Sequence, residues 1–108
     1  HVLFPRALVN LLQNSARAVR DCTNPRILLR VEAENGAVRF IVADNGIGIS
    51  PERQESVWKR GSSGSASSGL GLAFVRNIVD WLGGESLLCS KPGEGTKITI
   101  VIPEEVAE

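Results

Sequence analysis

Apolar and polar residues alternate along this chain with two different periods, and these predict helices in some segments and strands in others. Over residues 5–20 the apolar positions recur every three or four residues, which is typical of an amphipathic helix. Over residues 96–102 isoleucine occupies every second position, which is typical of a strand with one buried face. Asn35-Gly36, between two apolar runs, predicts a two-residue hairpin turn. The predicted elements are, in chain order, a helix over 5–20, strands over 27–33 and 38–42, a short helix over 51–58, a helix over 70–82, and strands over 85–90 and 96–102.

This order of elements predicts an α+β fold with two layers. Each long helix carries one apolar stripe, and the strands around 100 carry one apolar face. Helices grouped on one face of a mixed, mostly antiparallel sheet bury all of these surfaces at once. The length of 108 residues fits one domain, large enough to bury a core without disulfides.

The composition narrows the class of partner. Twelve basic and twelve acidic residues give a formal net charge of zero, which argues against a nucleic-acid binder or a polybasic membrane module. Cys22 and Cys89 lie far apart and outside any zinc-binding spacing, so we expect reduced, buried thiols. No membrane span or signal peptide is apparent. We expect a cytoplasmic domain without membrane contacts of its own, whether or not a parent protein is membrane-anchored.

The segment over residues 61–69 consists of glycine, serine and one alanine, and it cannot bury apolar surface. Such a segment is either a flexible surface loop without a role or a lid between two ligand-contacting segments. Its position between the two glycine motifs described next favours the lid.

Two glycine-bearing motifs predict a nucleotide site. Asp44 ends an apolar run and precedes Gly46 and Gly48, so a carboxylate can accept from a buried amino group while the glycines let backbone approach a flat ligand. Gly69 and Gly71 open the predicted helix over 70–82, and a glycine turn at a helix N-terminus is a natural phosphate seat. A site for a base and a site for phosphates together indicate a nucleotide.

Asn10, Asn14 and Arg17 share one face of the first predicted helix. An amide oxygen is a suitable ligand for Mg²⁺ beside phosphate oxygens, and an arginine one turn further can meet a phosphate. From the helix alone, an ordinary solvent-facing polar stripe explains these residues better, since polar faces are the default.

The ordered set of motifs resembles the GHKL, or Bergerat-fold, ATPase superfamily, and within it the catalytic and ATP-binding domain of bacterial sensor histidine kinases. Residues 10–16 resemble the N box, residues 44–48 the G1 box, and residues 68–73 the G2 box. The resemblance extends over nearly the whole chain. It implies that residues 1–108 form one ATP-binding catalytic domain whose dimerisation and sensor domains lie elsewhere.

The resemblance also implies roles for individual residues. Asn14 would coordinate Mg²⁺ with Asn10 nearby, and Arg17 would lie close to the phosphates. Asp44 would accept from the adenine amino group, with a water that Thr96 also holds. The remaining residues that the resemblance places at the nucleotide are Gly46, Gly48 and Ile49 at the base, Lys59, Arg60 and residues 62–68 in the lid, and Ser68, Gly69, Leu70, Gly71 and Leu72 at the phosphates.

The implied reaction is phosphoryl transfer from MgATP to a histidine on a separate dimerisation domain of the same kinase, with a response regulator downstream. The isolated domain is expected to be a monomer with little activity of its own. Hydrolytic members of the superfamily place a glutamate where this chain has Asn10. Because an amide cannot take a proton, we expect weak ATP hydrolysis.

Two departures from the family keep alternatives open. Val57-Trp58 stands where the first aromatic residue of the F box is expected, the second is missing or shifted, and the lid is short. The single histidine, His1, does not stand at a phosphoacceptor position. An anti-sigma-factor-type serine kinase that regulates by protein binding is one alternative, although Asn10 counts against it. A degenerate nucleotide-binding scaffold is another.

Overall fold

A computed structural model describes residues 3–57 and 72–103 of the chain. These residues form three helices and four strands. Their bounds are α1 Leu3–Ala18, β1 Ile27–Glu34, β2 Ala37–Asp44, α2 Pro51–Val57, α3 Leu72–Trp81, β3 Glu85–Lys91 and β4 Gly95–Pro103. Each corresponds to a predicted element, with ends that differ by up to two residues.

The first helix ends two residues earlier than its apolar periodicity predicts, and the reason is a tertiary contact. The carbonyl oxygen of Ala18 accepts from the main-chain N–H of Ile47 at 3.1 Å, in the loop that follows β2. The chain then leaves the helix through turns, in which the N–H of Cys22 donates to the carbonyl of Val19 at 3.0 Å. The loop after β2 therefore occupies a carbonyl that a longer helix would use for itself.

The four strands form one sheet in the order β1-β2-β4-β3, and every pairing among them is antiparallel. The expectation of a mixed sheet is therefore wrong for the described strands. β2 and β3 run in the same direction, but β4 lies between them and separates them. The β1–β2 hairpin turns through Asn35 and Gly36, both with positive φ (51° and 78°), as the Asn-Gly pair predicts.

Both long helices pack on the same face of this sheet, which confirms the two-layer α+β architecture. α1 lies over β1 and β2, and α3 lies over β3 and β4. The end of α3 is closed by main-chain bonds from Gly83 to Asp80 (3.0 Å) and from Gly84 to Val79 (2.9 Å), the pattern of a Schellman motif. The residues that form the core between the layers are Ala7, Leu11, Val42, Leu72, Val75, Ile78, Val79, Leu82, Ile98, Ile100 and Ile102.

The opposite face of the sheet carries exposed charges at the β1–β2 hairpin. Arg39 lies 3.6 Å from Glu32 and 3.9 Å from Glu34, and Arg30 lies 3.7 Å from Glu32. Exposed pairs of this kind contribute at most about 1 kcal/mol each. The stability of the domain therefore comes from the helix-covered face.

Candidate functional site

Three polar side chains form a row across the helix-covered face at one end of the sheet. Asp44 on β2 pairs in register with Thr96 on β4, and Thr96 pairs with Ser90 on β3. Residues directly opposite each other on neighbouring strands project to the same face. All three are half-buried. In this polar row, Asp44–Thr96–Ser90, the first two residues line the floor of the candidate site and Ser90 lies beside them.

The carboxylate of Asp44 has a structural bond and a second oxygen that remains available. Its Oδ1 accepts from the main-chain N–H of Gly46 at 2.8 Å, which closes the turn after β2. The structure of residues 3–57 and 72–103 records no other hydrogen bond to this carboxylate. Asp44 can therefore hold the turn with one oxygen and accept from a ligand with the other.

Asn45, next in the chain, is committed to the fold. Its Oδ1 accepts from the N–H of Arg26, and its Nδ2 donates to the carbonyl of Asn24, both at 2.8 Å. Its own carbonyl accepts from the thiol of Cys22 at 3.4 Å. These bonds join the end of β2 to the segment that enters β1. The Asp44-Asn45 pair thus divides into one residue that faces the site and one that fixes the strand end.

Gly46 and Gly48 make close contacts with the protein itself. A Cβ on Gly46 would lie 2.5 Å from the carbonyl oxygen of Ala18, and a Cβ on Gly48 would lie 2.1 Å from that of Lys91. Gly48 also has a φ of +76°, a conformation that L residues rarely adopt. The sequence interpretation assigned both glycines to ligand approach. In the structure they let the loop after β2 pack against the end of α1 and against the β3–β4 turn.

The β3–β4 turn holds this loop through several hydrogen bonds. The N–H of Gly93 donates to the carbonyl of Ile47 at 2.7 Å, and the N–H of Ile49 donates to the hydroxyl of Ser90 at 2.8 Å. From α2, the side-chain amide of Gln54 donates to the carbonyls of Ile49 (2.7 Å) and Ser90 (3.1 Å). The loop is therefore fixed on both sides, and one wall of the site is preorganised.

The opposite wall comes from α1. Asn14 and Arg17 are one turn apart, and an Arg17 guanidinium N–H donates to the Asn14 Oδ1 at 3.4 Å. The Nδ2 of Asn14 is buried and has no hydrogen-bond partner among the described residues. A buried amide nitrogen without a partner costs about 1–3 kcal/mol, so the site contains an unmet donor.

A cleft of about 210 Å³, partly open to solvent, lies between these walls. The residues that line it are Asn14, Ser15, Arg17, Ala18, Asp44, Ile47, Gly48, Ile49, Arg53, Leu72, Thr96 and Ile98. The lining combines acceptors on β2 and β4, several apolar side chains, and an amide and two guanidinium groups on α1 and α2.

Seven of the predicted site residues line this cleft together. They are Asn14, Arg17, Asp44, Gly48, Ile49, Leu72 and Thr96. Gly46 is buried behind the cleft, against α1. Asn10 lines a different surface groove, with Val9, Gln13 and Phe74 among its neighbours.

The rest of the predicted site lies outside the described residues. This holds for Lys59, Arg60, Ser68, Gly69, Leu70 and Gly71, and for the predicted lid. The altered F-box position at Val57-Trp58 is described only for the helical backbone of Val57. Their roles stay predictions.

Sequence reasoning missed five residues that line the cleft, which are Ser15, Ala18, Ile47, Arg53 and Ile98, and two residues that support it, Gln54 and Ser90. Arg53 and Gln54 follow the second glycine of the Asp44 motif by only a few positions, on a helix that the sequence did predict. Their nearness to a predicted base site was an available signal. Ser90 carried no such signal, because its partner Ile49 is 41 positions away.

Other sequence expectations have mixed outcomes. Both cysteines are free thiols, as predicted, but Cys89 is exposed rather than buried because it lies on the outer face of β3. Among the described residues, no cluster of three or more histidine, cysteine, aspartate or glutamate side chains could hold a metal ion by itself. Within the same residues, the helices are all too short or too polar to cross a bilayer.

Comparison with known proteins identifies relatives of this chain. Residues 2–106 match the family model described as histidine kinase-, DNA gyrase B-, and HSP90-like ATPase. The methanogenesis regulatory histidine kinase FilI of Methanothrix harundinacea is 37% identical over 90% of this chain. The chain spans only 11% of the length of FilI.

Two solved structures resemble the fold closely. The catalytic domain of histidine kinase ThkA superposes with a TM-score of 0.78 at 28% identity, over 92% of this chain and 65% of that one. Full-length ShkA in complex with AMPPNP superposes with a TM-score of 0.69 at 30% identity, over 90% of this chain and 21% of that one.

Proposed function

Because this chain belongs to the histidine kinase-, DNA gyrase B- and HSP90-like ATPase family, we propose that its cleft binds MgATP and presents the terminal phosphoryl group to a histidine. The histidine would belong to a separate dimerisation domain of the same kinase, and a response regulator would receive the phosphoryl group next. This proposal makes the chain the catalytic domain of a two-component sensor kinase.

One observation carries the proposal: a single cleft is lined both by hydrogen-bond acceptors of the sheet, Asp44 and Thr96, and by an amide beside a guanidinium on α1. The available oxygen of Asp44 and the hydroxyl of Thr96 suit the amino group of adenine. Asn14 and Arg17 suit oxygen-rich, negatively charged phosphates. Full-length ShkA, whose fold this chain shares over 90% of its residues, was solved in complex with AMPPNP, which supports nucleotide binding by this chain.

The apolar part of the cleft suits a flat base. Its surface comes from Ile47, Ile49, Leu72 and Ile98. Burial of a purine against such side chains provides most of the affinity, while the few polar groups fix its orientation. Ile47, which is 64% exposed, would be covered by the base and would lose that exposure on binding.

The donor set fits a magnesium ion that arrives with the nucleotide. Mg²⁺ takes one or two protein oxygens and completes its shell with water and substrate phosphates. Asn14 is the residue that would hold it, and the absence of an acidic cluster among the described residues agrees with a metal carried mainly by phosphates. Bound there, Mg²⁺ would neutralise charge on the phosphates during transfer.

The chain's own residues would position the reacting groups. In the reaction the bond between the terminal phosphorus and its bridging oxygen breaks, a phosphorus–nitrogen bond forms to the imidazole, ADP leaves, and the imidazole loses a proton. Arg17 would pair with phosphate oxygens. Asn10 precedes Asn14 by four residues, about 6 Å of helix, and lines a separate groove, so its nearness to the phosphates rests on the family resemblance.

Asn10 also affects whether water can attack the terminal phosphate of ATP. A glutamate in its place could accept a proton from an attacking water, but an amide cannot. We therefore expect slow ATP hydrolysis by the isolated chain. The lid residues Lys59 and Arg60 and the turn over residues 68–71 would complete the phosphate end; this part rests on the family resemblance.

Calorimetric titration with ADP, with and without Mg²⁺, tests the first half of the proposal. We expect saturable binding that Mg²⁺ strengthens; absence of binding at millimolar ADP would favour a degenerate scaffold. Mixing the chain with a purified histidine-bearing dimerisation domain and ATP tests the second half. Acid-labile phosphate on that domain would support a histidine kinase, and acid-stable phosphate on a serine would contradict it.

A further inference from the structure

The hydroxyl group of Ser90 has three hydrogen-bonding neighbours and one proton to share among them. The main-chain nitrogen of Ile49 lies 2.8 Å from Oγ, the carbonyl oxygen of Gly95 lies 2.8 Å from it, and the Thr96 Oγ1 lies 2.9 Å from it. A main-chain N–H can only donate and a carbonyl oxygen can only accept. Ser90 therefore accepts from Ile49 and gives its own proton to Gly95.

The contact between the two hydroxyls then needs the proton of Thr96. If Ser90 donated to Thr96 instead, its oxygen and the Gly95 carbonyl oxygen would face each other at 2.8 Å with no proton between them. With the proton of Thr96 held by Ser90, the hydroxyl of Thr96 turns only lone pairs toward the cleft. Its neighbour in register, Asp44, is also an acceptor when ionised.

We infer that Ser90 is a positioning residue for purine recognition: it takes the proton of Thr96 and so leaves only acceptors at the base end of the cleft. Such a floor attracts the six-amino group of adenine and repels the six-oxo group of hypoxanthine or guanine. The inference rests on the proposed binding of an adenine nucleotide. It adds a residue that lines no part of the cleft itself.

The surroundings of Ser90 make this orientation rigid. Its donor, Ile49, belongs to the loop that Gln54 holds by bonds to the Ile49 and Ser90 carbonyls. Gly95 begins β4 directly before Thr96. Neither neighbour can rotate away, so the direction of the hydroxyl chain is set by main-chain groups. A recognition site with fixed acceptors rejects the wrong hydrogen-bonding partner more strongly than one whose hydroxyl can reorient.

Titration with ADP and with inosine diphosphate tests the inference, because the two differ only in the amino or oxo group at position six of the base and its adjacent proton. We expect the parent chain to prefer ADP. In Ser90→Ala the released Thr96 hydroxyl can donate to an oxo group, so the preference for ADP should fall about tenfold. Ser90→Thr, which keeps a hydroxyl, should retain the preference within about twofold.

Two further variants separate positioning from a general loss of structure. Ser86→Ala, on the same face of β3, removes a hydroxyl that has no recorded hydrogen bond within residues 3–57 and 72–103. It should change the affinity for neither nucleotide. In a Thr96→Val background, Ser90→Ala should produce no further change in the preference, because the hydroxyl it orients is gone. Ser90→Cys, similar in volume, replaces Ser90→Ala if that variant does not fold.

The outcomes are distinct. If the parent chain binds neither nucleotide, the proposed function fails and the inference fails with it. If the parent binds ADP selectively but Ser90→Ala or Ser90→Cys keeps the full preference, the role of Ser90 is wrong while the function stands. A Ser90 effect that persists undiminished in the Thr96→Val background also overturns the inference.

Discussion

Two adjacent rows of the same sheet face have opposite characters. The row Val42–Ile98–Leu88 is apolar and lies under the helices, with Val42 at 2% and Ile98 at 5% exposure. The next row toward the strand ends, Asp44–Thr96–Ser90, is polar and half-buried. Both rows occupy successive same-face positions of the same three strands. The fold and the site are thus built from one alternation, and the row changes from apolar to polar where the cleft separates the sheet from the helices.

We expect the apolar row to be destabilised by a carboxylate like the one that the polar row contains. Val42→Asp would bury a carboxylate without a partner under α1, which we expect to cost about 5 kcal/mol and to unfold most of the domain. Urea unfolding followed by circular dichroism measures the change. Leu28→Asp, at a position that is 49% exposed, is the control and should cost about 1 kcal/mol or less. Equal costs for the two variants would contradict this assignment of the core face.

The geometry of the polar row depends on the hydrogen bonds that join the loop after β2 to β3 and the β3–β4 turn. Gly48→Ala would force a methyl group against the Lys91 carbonyl, at a backbone conformation unsuited to alanine. We expect a loss of about 3 kcal/mol of stability together with weaker ADP binding.

The matched control is Gly93→Ala, where φ is also positive (+81°) but a Cβ would meet nothing within 4 Å. It isolates backbone strain alone and should cost about 1 kcal/mol. Similar melting temperatures for the two variants would show that the close approach at Gly48 is unimportant.

Within the polar row, Asp44→Asn should separate binding from stability. The amide oxygen can keep the bond to the N–H of Gly46, and the amide NH₂ would then face the adenine amino group, so two donors would meet. We expect ADP affinity to fall about 50-fold, equivalent to about 2.3 kcal/mol, with stability changed by less than about 0.5 kcal/mol.

Asp44→Ala is the companion variant, since it removes both oxygens and should lower both affinity and melting temperature. Calorimetry with ADP and thermal melts on the same samples provide the two readouts. Unchanged ADP affinity in Asp44→Asn would remove the carboxylate from the site.

The smallest expected effect concerns the wall opposite the polar row. Asn14→Ala should lower Mg²⁺-dependent ADP affinity about tenfold, or about 1.4 kcal/mol, and leave Mg²⁺-free affinity nearly unchanged. Gln13→Ala, an exposed neighbour on the same helix that does not line the cleft, is the control. A loss of equal size with and without Mg²⁺ would mean that Asn14 contacts the nucleotide rather than the metal.

Much of this architecture was predictable from local signals. The hairpin at Asn35 and Gly36, the apolar stripes of α1 and α3, and the isoleucine alternation in β4 are patterns within single segments, and the structure confirms them. The C-terminal end of α1 was not predictable, because it depends on the hydrogen bond that the N–H of Ile47 donates to the Ala18 carbonyl. The prediction of a mixed sheet was wrong for the described strands. Strand order is a long-range property, and here it puts β4 between β2 and β3.

The residues of the candidate site also divide into those that local signals predicted and those that depend on long-range contacts. Asn14, Arg17, Asp44 and Thr96 were found because their residue types fit a chemistry and their motifs stand in a recognisable order. Ser90 was missed because a serine in a strand has no local mark. Gly46 was assigned to the ligand because only its conformational freedom was visible, and the Ala18 carbonyl it approaches was not.

By itself, the sequence determined which residues of each strand face the helices, since a two-residue period fixes the faces once the strands exist. It also determined the kinds of chemical group available to a nucleotide. Only the tertiary structure decided which groups meet: the antiparallel register sets Asp44, Thr96 and Ser90 side by side, and the β3–β4 turn brings Ile49 to Ser90 across 41 positions. Hydrogen bonds act over about 3 Å, so direction and selectivity at the site exist only after the strands have paired.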